Sequence, residues 1–223
     1  MSRDDADSSA GAIDSTDAEL DAVLSALALK DERRTGWQLR GVDEPETVAG
    51  HTWGVAYLCL LYAERAGVDP DRAVRLAVVH DLAEAETGDE PTRADSTAEK
   101  PDADRKEARE RAAITELLGP FEHEDGDDTP LPGTSIRAAW EEYEVRSTPE
   151  AQFVKDMDLV DMCFQALYYE REGRYDPTEN RPAFQEYDRL DEFFATAEPR
   201  LRTDVGRALY DAIHERYQAA RDG

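Results

Sequence analysis

"VVHDLAEAETGDEPTRAD", residues 78–95, is the stretch from which both the fold and the chemistry of this chain can be approached. An apolar, helix-like segment runs into the pair His80-Asp81, and several carboxylates follow. Such a run is either the solvated acidic end of a helix or part of a metal site. Acidic residues are common throughout the chain, so the spacing of these side chains must decide between the two interpretations.

The composition excludes several classes of protein. The 223 residues carry a formal net charge of −26, with 52 Asp and Glu against 26 Lys and Arg, so binding of nucleic acid through a basic surface is excluded. The acidic residues are spread along the whole chain, which indicates adaptation to high salt, where their repulsion is screened. No apolar run approaches the roughly 20 residues that cross a membrane, and the N-terminus lacks the apolar region of a signal peptide. We therefore expect a soluble, cytoplasmic protein without a membrane partner.

Helical spacing and capping signals predict an all-α fold. Residues 1–15 have the composition of a disordered acidic tail, and residues 16–220 are predicted to form a single helical-bundle domain. We find no run with strand alternation and no repeat of fixed period. Residues 123–133 are predicted to be an acidic loop.

Several residues mark the ends of the predicted helices. Thr47, Asp69-Pro70 and Thr148-Pro149 are typical helix starts, and Gly67 is a typical end. One continuous helix is predicted from Pro70 to Gly88. Two further helices are expected around 181–197 and 199–220.

Four polar residues within apolar helical segments suggest a metal site. His51, His80, Asp81 and Asp158 each lie where a helix should be buried. A lone histidine there is usually a hydrogen-bonded core residue, but a buried, unpaired carboxylate needs a cation or strong donors. Imidazole nitrogens and carboxylate oxygens together suit a divalent metal such as Mn, Co, Zn or Mg. The four residues are therefore predicted to be metal ligands.

Two of the following carboxylates are predicted to be catalytic. Glu84 comes one helical turn after His80 and Asp81 and should share their face, and Asp89 follows the helix-ending Gly88 and can fold back over the site. Glu84 would act as general base to a water that the metal activates. Asp89 would share that work, protonate a leaving oxygen or, with Glu84, hold a second metal.

A loop before His51 holds the candidate substrate-binding residues. Arg34 and Arg40 flank Trp37 in "RTGWQLR", residues 34–40, and arginine binds phosphate in a bidentate manner. Trp37 either stacks on a base or packs the loop as a core aromatic. Lys155, one turn before Asp158, either orients that carboxylate or forms a plain salt bridge.

No other nucleophile is indicated by the sequence. It has no G-x-S-x-G elbow and no P-loop, and the two cysteines, Cys59 and Cys163, read as buried free thiols. Water activated by a metal is the remaining nucleophile, so the predicted chemistry is hydrolysis, most naturally at phosphorus.

The order His51, His80-Asp81, Asp158 resembles the signature of the HD-domain metal-dependent phosphohydrolases. The stretches "RTGWQLRGVDEPETVAGH", "RLAVVHDLAEAETGD" and "WEEYEVRSTPEAQFVKDMDLVDM" are closest to their 5′-deoxynucleotidase branch. The resemblance implies an all-α HD fold, a homodimer, and release of phosphate from deoxyribonucleoside 5′-monophosphates. It also implies that His51, His80, Asp81 and Asp158 bind the metal.

The resemblance bears on the other candidate residues as well. It implies that Glu84 and Asp89 are catalytic or second-metal residues and that Trp37 belongs to the substrate site. Some members have arginine directly before this tryptophan, where the chain has Gly36, and others read R-T-G-W, as here. The resemblance therefore leaves open whether Arg34 or Arg40 binds the phosphate.

Two other functions are compatible with the same helices. A phosphodiesterase or nucleotide pyrophosphohydrolase would need further basic residues for its extra phosphates, and the sequence shows few near the site. A non-catalytic metal-binding module would keep the core but lose the catalytic acids, and both Glu84 and Asp89 are present.

Overall fold

The fold is all-α, as predicted. The computed structural model describes residues 16–98, 102–122, 132–179 and 181–222, and these ranges contain no β-strand. The predicted tail, 1–15, and most of the acidic loop, 123–131, lie outside them. The helices are α1 (16–27), α2 (Thr35–Arg40), α3 (Val48–Ala66), α4 (Pro70–Val79), α5 (Glu84–Thr87), α6 (Ala103–Leu118), α7 (Pro132–Val145), α8 (Pro149–Glu172), α9 (Asp191–Ala197) and α10 (Asp204–Arg221).

The helix starts predicted at Thr47, Asp69-Pro70 and Thr148-Pro149 are confirmed by their hydrogen bonds. The Thr47 hydroxyl accepts from the Gly50 amide, and the Thr148 hydroxyl accepts from the Ala151 amide. The Asp69 carboxylate accepts from two amides of the first turn of α4, and Pro70 is the first residue of that helix. Each cap satisfies amides that have no partner inside the helix.

Helix α8 is the centre of the fold. It packs against α3, α4, α7, α9 and α10. Its buried residues lie on all sides of the helix, which is typical of a helix in the interior of a domain. Two of these buried residues are carboxylates, Asp156 and Asp158. Asp156 accepts hydrogen bonds from the amides of Arg202 and Thr203 and so holds the start of α10.

The predicted continuous helix from Pro70 to Gly88 is wrong. Helix α4 ends at Val79, residues 80–83 form a turn, and α5 follows. In this turn the Leu82 amide donates to the Val79 carbonyl and the Glu84 amide to the Asp81 carbonyl, the tighter 3₁₀ pattern. His80 Nδ1 lies 2.6 Å from the Ala77 carbonyl oxygen, an acceptor that the Asp81 amide would use in a continuous α-helix. The side chain of His80 thus competes with the main chain where the helix ends.

The C-terminal helices are also shorter than predicted. Residues 181–190 form turns, and α9 begins only at Asp191. Arg189 has a φ of 49°, outside the helical region. The buried Asp95 carboxylate accepts from the amides of Gln185 and Glu186 and satisfies them without a helix. Helix α10 starts at Asp204, later than the predicted 199.

Two further expectations concern the described residues. Cys59 and Cys163 are buried free thiols, as predicted. Within the described ranges, no helix combines the length and the apolar character that a bilayer span requires.

Candidate active site

The four predicted metal ligands meet at one point in the fold. His51 lies on the first turn of α3, His80 and Asp81 lie where α4 ends, and Asp158 lies on α8. His51 Nε2 is 3.1 Å from Asp158 Oδ1 and 3.8 Å from Asp81 Oδ2. The His80 and His51 rings are 5.4 Å apart between centroids. Packing of α3 and α4 against α8 therefore assembles these four side chains.

The ligand atoms suit a divalent cation. Atoms of His51, His80 and Asp81 lie within 4.8 Å of one another. His80 Nδ1 is occupied by the Ala77 carbonyl, whereas His80 Nε2 is buried and has no hydrogen-bond partner among the described residues. It lies 3.1 Å from Asp81 Oδ2. A buried ring nitrogen without a hydrogen-bond partner costs free energy. A cation bound by both this nitrogen and the Asp81 carboxylate would remove that cost, so the arrangement fits a metal.

Asp158 has further partners on its second oxygen. Lys155 Nζ donates to Asp158 Oδ2 at 2.6 Å, and the Tyr143 hydroxyl donates to the same atom at 2.9 Å. Oδ1 is left facing His51. Burial opposes ionisation of Asp158, but the Lys155 ammonium and the His51 imidazole hold its pKa well below the usual range. Asp158 therefore stays ionised, which is the form that can bind a cation.

Asp81 and His51 are also charged in the protein without metal. Burial opposes the charge on Asp81, but the adjacent His80 and the Arg34 guanidinium hold its pKa below the ordinary value. Burial and Arg34 lower the pKa of His51, yet hydrogen bonds to Asp158 and Asp161 outweigh them and raise it well above 6.5. A divalent cation would replace the proton on His51, because a metal ligand must be neutral imidazole.

Glu84 and Asp89 both line the cavity beside these ligands, in different environments. Glu84 Oε2 is buried and has no hydrogen-bond partner among the described residues. Burial, followed by the charges of Asp81 and Asp89, raises the pKa of Glu84 well above 4.5. Asp89 instead accepts from the Thr35 amide at 2.5 Å.

The structure separates the two candidate arginines. Arg34 NH1 lies 3.4 Å from Asp81 Oδ2 and 3.3 Å from Asp89 Oδ1, and the side chain lines the cavity. Arg40, at the other end of α2, donates from Nε to the Arg189 carbonyl, and its guanidinium lies 4.7 Å over the Tyr175 ring. Arg40 is not among the described residues that line the cavity.

Trp37 is packed on several sides. It is 2% exposed, its ring stacks on Phe193 at 3.8 Å between centroids, and it meets Tyr169 edge-on at 5.2 Å. The indole nitrogen donates to Glu46 Oε1 at 3.0 Å. The residue also lines the cavity. Of the two interpretations of Trp37, these contacts favour the core aromatic.

The cavity has a volume of about 480 Å³ and is lined by more cations than sequence reasoning indicated. Lys106 and Arg111 reach it from α6, and Arg146 reaches it from the end of α7. These residues lie far from His51 in the sequence, so spacing alone could not place them there.

A second carboxylate that sequence reasoning missed contacts His51. Asp161 lies one turn after Asp158 on α8, and its Oδ2 is at hydrogen-bond distance, 2.7 Å, from His51 Nδ1. The only sequence signal is its helical spacing from Asp158.

Comparisons with known proteins agree with this geometry. The HD-domain profile matches residues 26–197. The 5′-deoxynucleotidase HDDC2 of Xenopus laevis is 35% identical over 192 residues, which cover 86% of this chain and 84% of the relative. The 5′-deoxynucleotidase hdd1 of Schizosaccharomyces pombe is 35% identical over 64% of this chain and 68% of its own length.

Solved structures show the same fold. The PH0347 protein of Pyrococcus horikoshii superposes with a TM-score of 0.62 at 29% identity and covers 89% of this chain and 98% of its own. A predicted metal-dependent phosphohydrolase from Magnetospirillum magnetotacticum superposes with a TM-score of 0.58 at 27% identity, over 91% and 94% of the two chains. The metal-ligand constellation, the helical fold and these matches lead to one assignment: this chain belongs to the HD-domain family.

Proposed function

We propose that this protein is a metal-dependent phosphohydrolase that releases phosphate from deoxyribonucleoside 5′-monophosphates. The observation that carries the proposal is the convergence of His51, His80, Asp81 and Asp158 beside a cavity of about 480 Å³. The substrate class is supported by the relatives, whose names describe 5′-deoxynucleotidases.

The four convergent residues would hold the cation. Two imidazole nitrogens with two carboxylates favour Mn, Co or Zn over Mg, which prefers oxygen ligands. Such a cation, when bound, polarises a phosphoryl oxygen and lowers the pKa of water.

Glu84 is the proposed general base. It lines the cavity, and its free Oε2 can take a proton from the water that attacks phosphorus. The P–O5′ bond then breaks, and Glu84 returns the proton to the departing O5′, so the products are a nucleoside and phosphate. The alternative use of Glu84 and Asp89 is a second cation. Asp89 is already engaged by the Thr35 amide and by the Arg34 guanidinium, which favours proton transfer.

Arg34 is the proposed phosphate ligand. It lines the cavity next to Asp81 and Asp89, while Arg40 is engaged elsewhere. Asp89, held by the Thr35 amide, fixes the position of the Arg34 guanidinium. Trp37 lines the cavity while its ring stacks on Phe193, so we assign it a shaping role in substrate binding and not face-to-face stacking on the base.

We further propose that the protein is a homodimer that acts in the cytoplasm. Trp53, Tyr57, Leu60 and Leu61 form an apolar face on α3 that is 48–69% exposed. An apolar face of this kind on a strongly acidic protein is suited to contact with a second copy. Light scattering of wild type and Leu60→Glu tests this: a dimer that the substitution converts to monomer supports it. The two free thiols are compatible with a reducing compartment.

The test of function is phosphate release by chelated protein in molar salt, with Mn²⁺, Co²⁺, Mg²⁺ or Zn²⁺ added back. The substrates are deoxy- and ribonucleoside monophosphates, triphosphates and a cyclic dinucleotide. We expect metal-dependent release from the deoxymonophosphates and little from the ribonucleotides. Cleavage of a larger nucleotide with no release from any monophosphate would overturn the substrate and leave the metal site.

Two matched variants test the general base. Glu84→Gln should lower kcat by about 10²–10⁴-fold with metal content unchanged. Glu86→Gln, two positions away on an exposed side chain, should retain full activity. Equal activity of the two variants would show that the assignment of Glu84 is wrong.

A further inference from the structure

Both ring nitrogens of His51 face carboxylates, on opposite sides of the ring. Nε2 faces the metal-ligand cluster, 3.1 Å from Asp158 Oδ1. Nδ1 faces away from it, 2.7 Å from Asp161 Oδ2. The ring is fully buried, so water cannot replace either partner.

The contact with Asp161 determines which nitrogen carries the proton. With Nδ1–H as the donor and the Asp161 carboxylate as the acceptor, the 2.7 Å contact satisfies both groups. Neutral His51 then has its lone pair on Nε2, which faces Asp81 and Asp158. Without this contact the two tautomers and ring orientations would compete.

A glycine makes room for Asp161. Gly54 lies on α3, one turn after His51, and a Cβ placed there would be 2.2 Å from Asp161 Oδ1. Glycine is unfavourable inside a helix, so its presence in the middle of α3 needs a reason. Close approach of the Asp161 carboxylate to α3 supplies that reason.

We propose that Asp161 is a positioning residue: through its hydrogen bond to Nδ1 it holds His51 with Nε2 directed at the metal site, and Gly54 provides the space for it. The proposal rests on the proposed metal site and adds a residue that acts on the metal only through His51.

A cation held by Glu46, His51 and Asp161 is the competing interpretation, since ligand atoms of these residues also cluster. The contacts favour positioning. Glu46 Oε1 already accepts from the Trp37 indole, and Asp161 lies at hydrogen-bond distance from Nδ1.

The test measures the dissociation constant of Mn²⁺ by titration calorimetry on chelated full-length protein. Asp161→Ala should weaken Mn²⁺ binding by about 10–100-fold. Asp161→Asn keeps an acceptor for Nδ1–H and nearly the same shape, so its loss should be smaller. Asp211→Asn, on an exposed part of α10, is the control and should bind like wild type.

Gly54→Ala provides an independent perturbation. Its methyl group would displace the Asp161 carboxylate from His51, so Mn²⁺ binding should weaken in the same range. Gly119→Ala, at a helical position where a Cβ meets no atom within 4 Å, should leave binding unchanged. Combining Gly54→Ala with Asp161→Ala should add little, because both remove the same contact.

The tautomer itself is observable. In the NMR spectrum of ¹⁵N-labelled, Zn²⁺-loaded wild-type protein, the Nδ1–H of His51 should give a signal that exchanges slowly with solvent. The signal is assigned to His51 by its absence in His51→Gln. This signal should disappear in Asp161→Ala. Persistence of the signal with wild-type exchange protection would overturn the proposal.

The affinity outcomes separate this proposal from the proposed function. If folded Asp161→Ala and Asp161→Asn bind Mn²⁺ like wild type while His80→Ala does not, only the positioning role fails. If the Asp161 variants bind one Mn²⁺ ion fewer per protein and the remaining ion binds with unchanged affinity, the positioning role is overturned in favour of a cation held by Glu46, His51 and Asp161. If wild type binds no divalent metal, both proposals fail. Circular dichroism and thermal melting establish that each variant is folded.

Discussion

Replacing Trp37 with phenylalanine should lower stability more than it affects substrate binding. The indole is 2% exposed, stacks on Phe193 and donates to Glu46 Oε1 at 3.0 Å. Replacing the indole with the smaller phenyl ring should cost about 1–2 kcal/mol, because it is a partial large-to-small change in the core. Leaving the half-buried Glu46 carboxylate without its donor should cost about 1–3 kcal/mol.

The combined loss of about 3 kcal/mol corresponds to a fall in Tm of about 6–12 °C for a domain of this size. Thermal unfolding followed by far-UV circular dichroism, with and without saturating metal, measures it. Trp140→Phe is the matched control, because Trp140 is equally buried and the described residues offer its indole no hydrogen bond. The control should lose only the part due to the smaller ring.

The comparison can refute the reasoning in two ways. Equal losses in the two variants would mean that the bond to Glu46 contributes nothing to stability. A Trp37→Phe protein that melts like wild type but has a raised KM would show that Trp37 mainly contacts the substrate.

Further predictions follow from the same geometry. His80→Ala should lower both bound metal and Tm, measured by elemental analysis and calorimetry; unchanged metal content would contradict the ligand assignment. Burial and two neighbouring carboxylates raise the pKa of Glu84 above 4.5, so the metal-free native state keeps a proton that the unfolded chain releases. That contribution to stability is present at low pH and is lost as pH rises, so chelated Glu84→Gln should gain stability relative to wild type as the pH rises above about 4.3, the ordinary glutamate pKa; a stability difference in urea unfolding that does not change with pH would contradict this. Arg34→Gln should lower kcat/KM with little change in Tm, whereas Arg40→Gln should lower Tm; the reverse pattern would exchange their roles. The net charge of −26 predicts a higher Tm in molar than in low salt.

Local signals in the sequence were sufficient for much of the fold and for the candidate metal ligands. The caps at Thr47, Asp69 and Thr148 depend on hydrogen bonds within the first helical turn, so they can be read from neighbouring residues. The candidate ligands were recognisable because ionisable side chains within apolar helices are costly without a partner. The helical fold and the divalent-metal chemistry thus follow from short-range patterns.

Other features depended on contacts between distant residues. The end of α4 at Val79 reflects the His80 side chain bonding back to the main chain, which apolar spacing does not report. The short α9 depends on Asp95 holding amides about 90 positions away. Arg34 lines the cavity and Arg40 does not, because they lie at opposite ends of α2.

The all-α class, the capped starts of α3, α4 and α8 and the four candidate ligands could therefore be predicted from the sequence, because capping and periodicity are local. How these parts meet depends on the packing of the helices. That packing places Trp37 against Phe193, brings cations from α6 and α7 to the cavity wall, and sets Asp161 against His51 across 110 positions of chain. Such contacts arise from helix packing, and no spacing along a single helix can encode them.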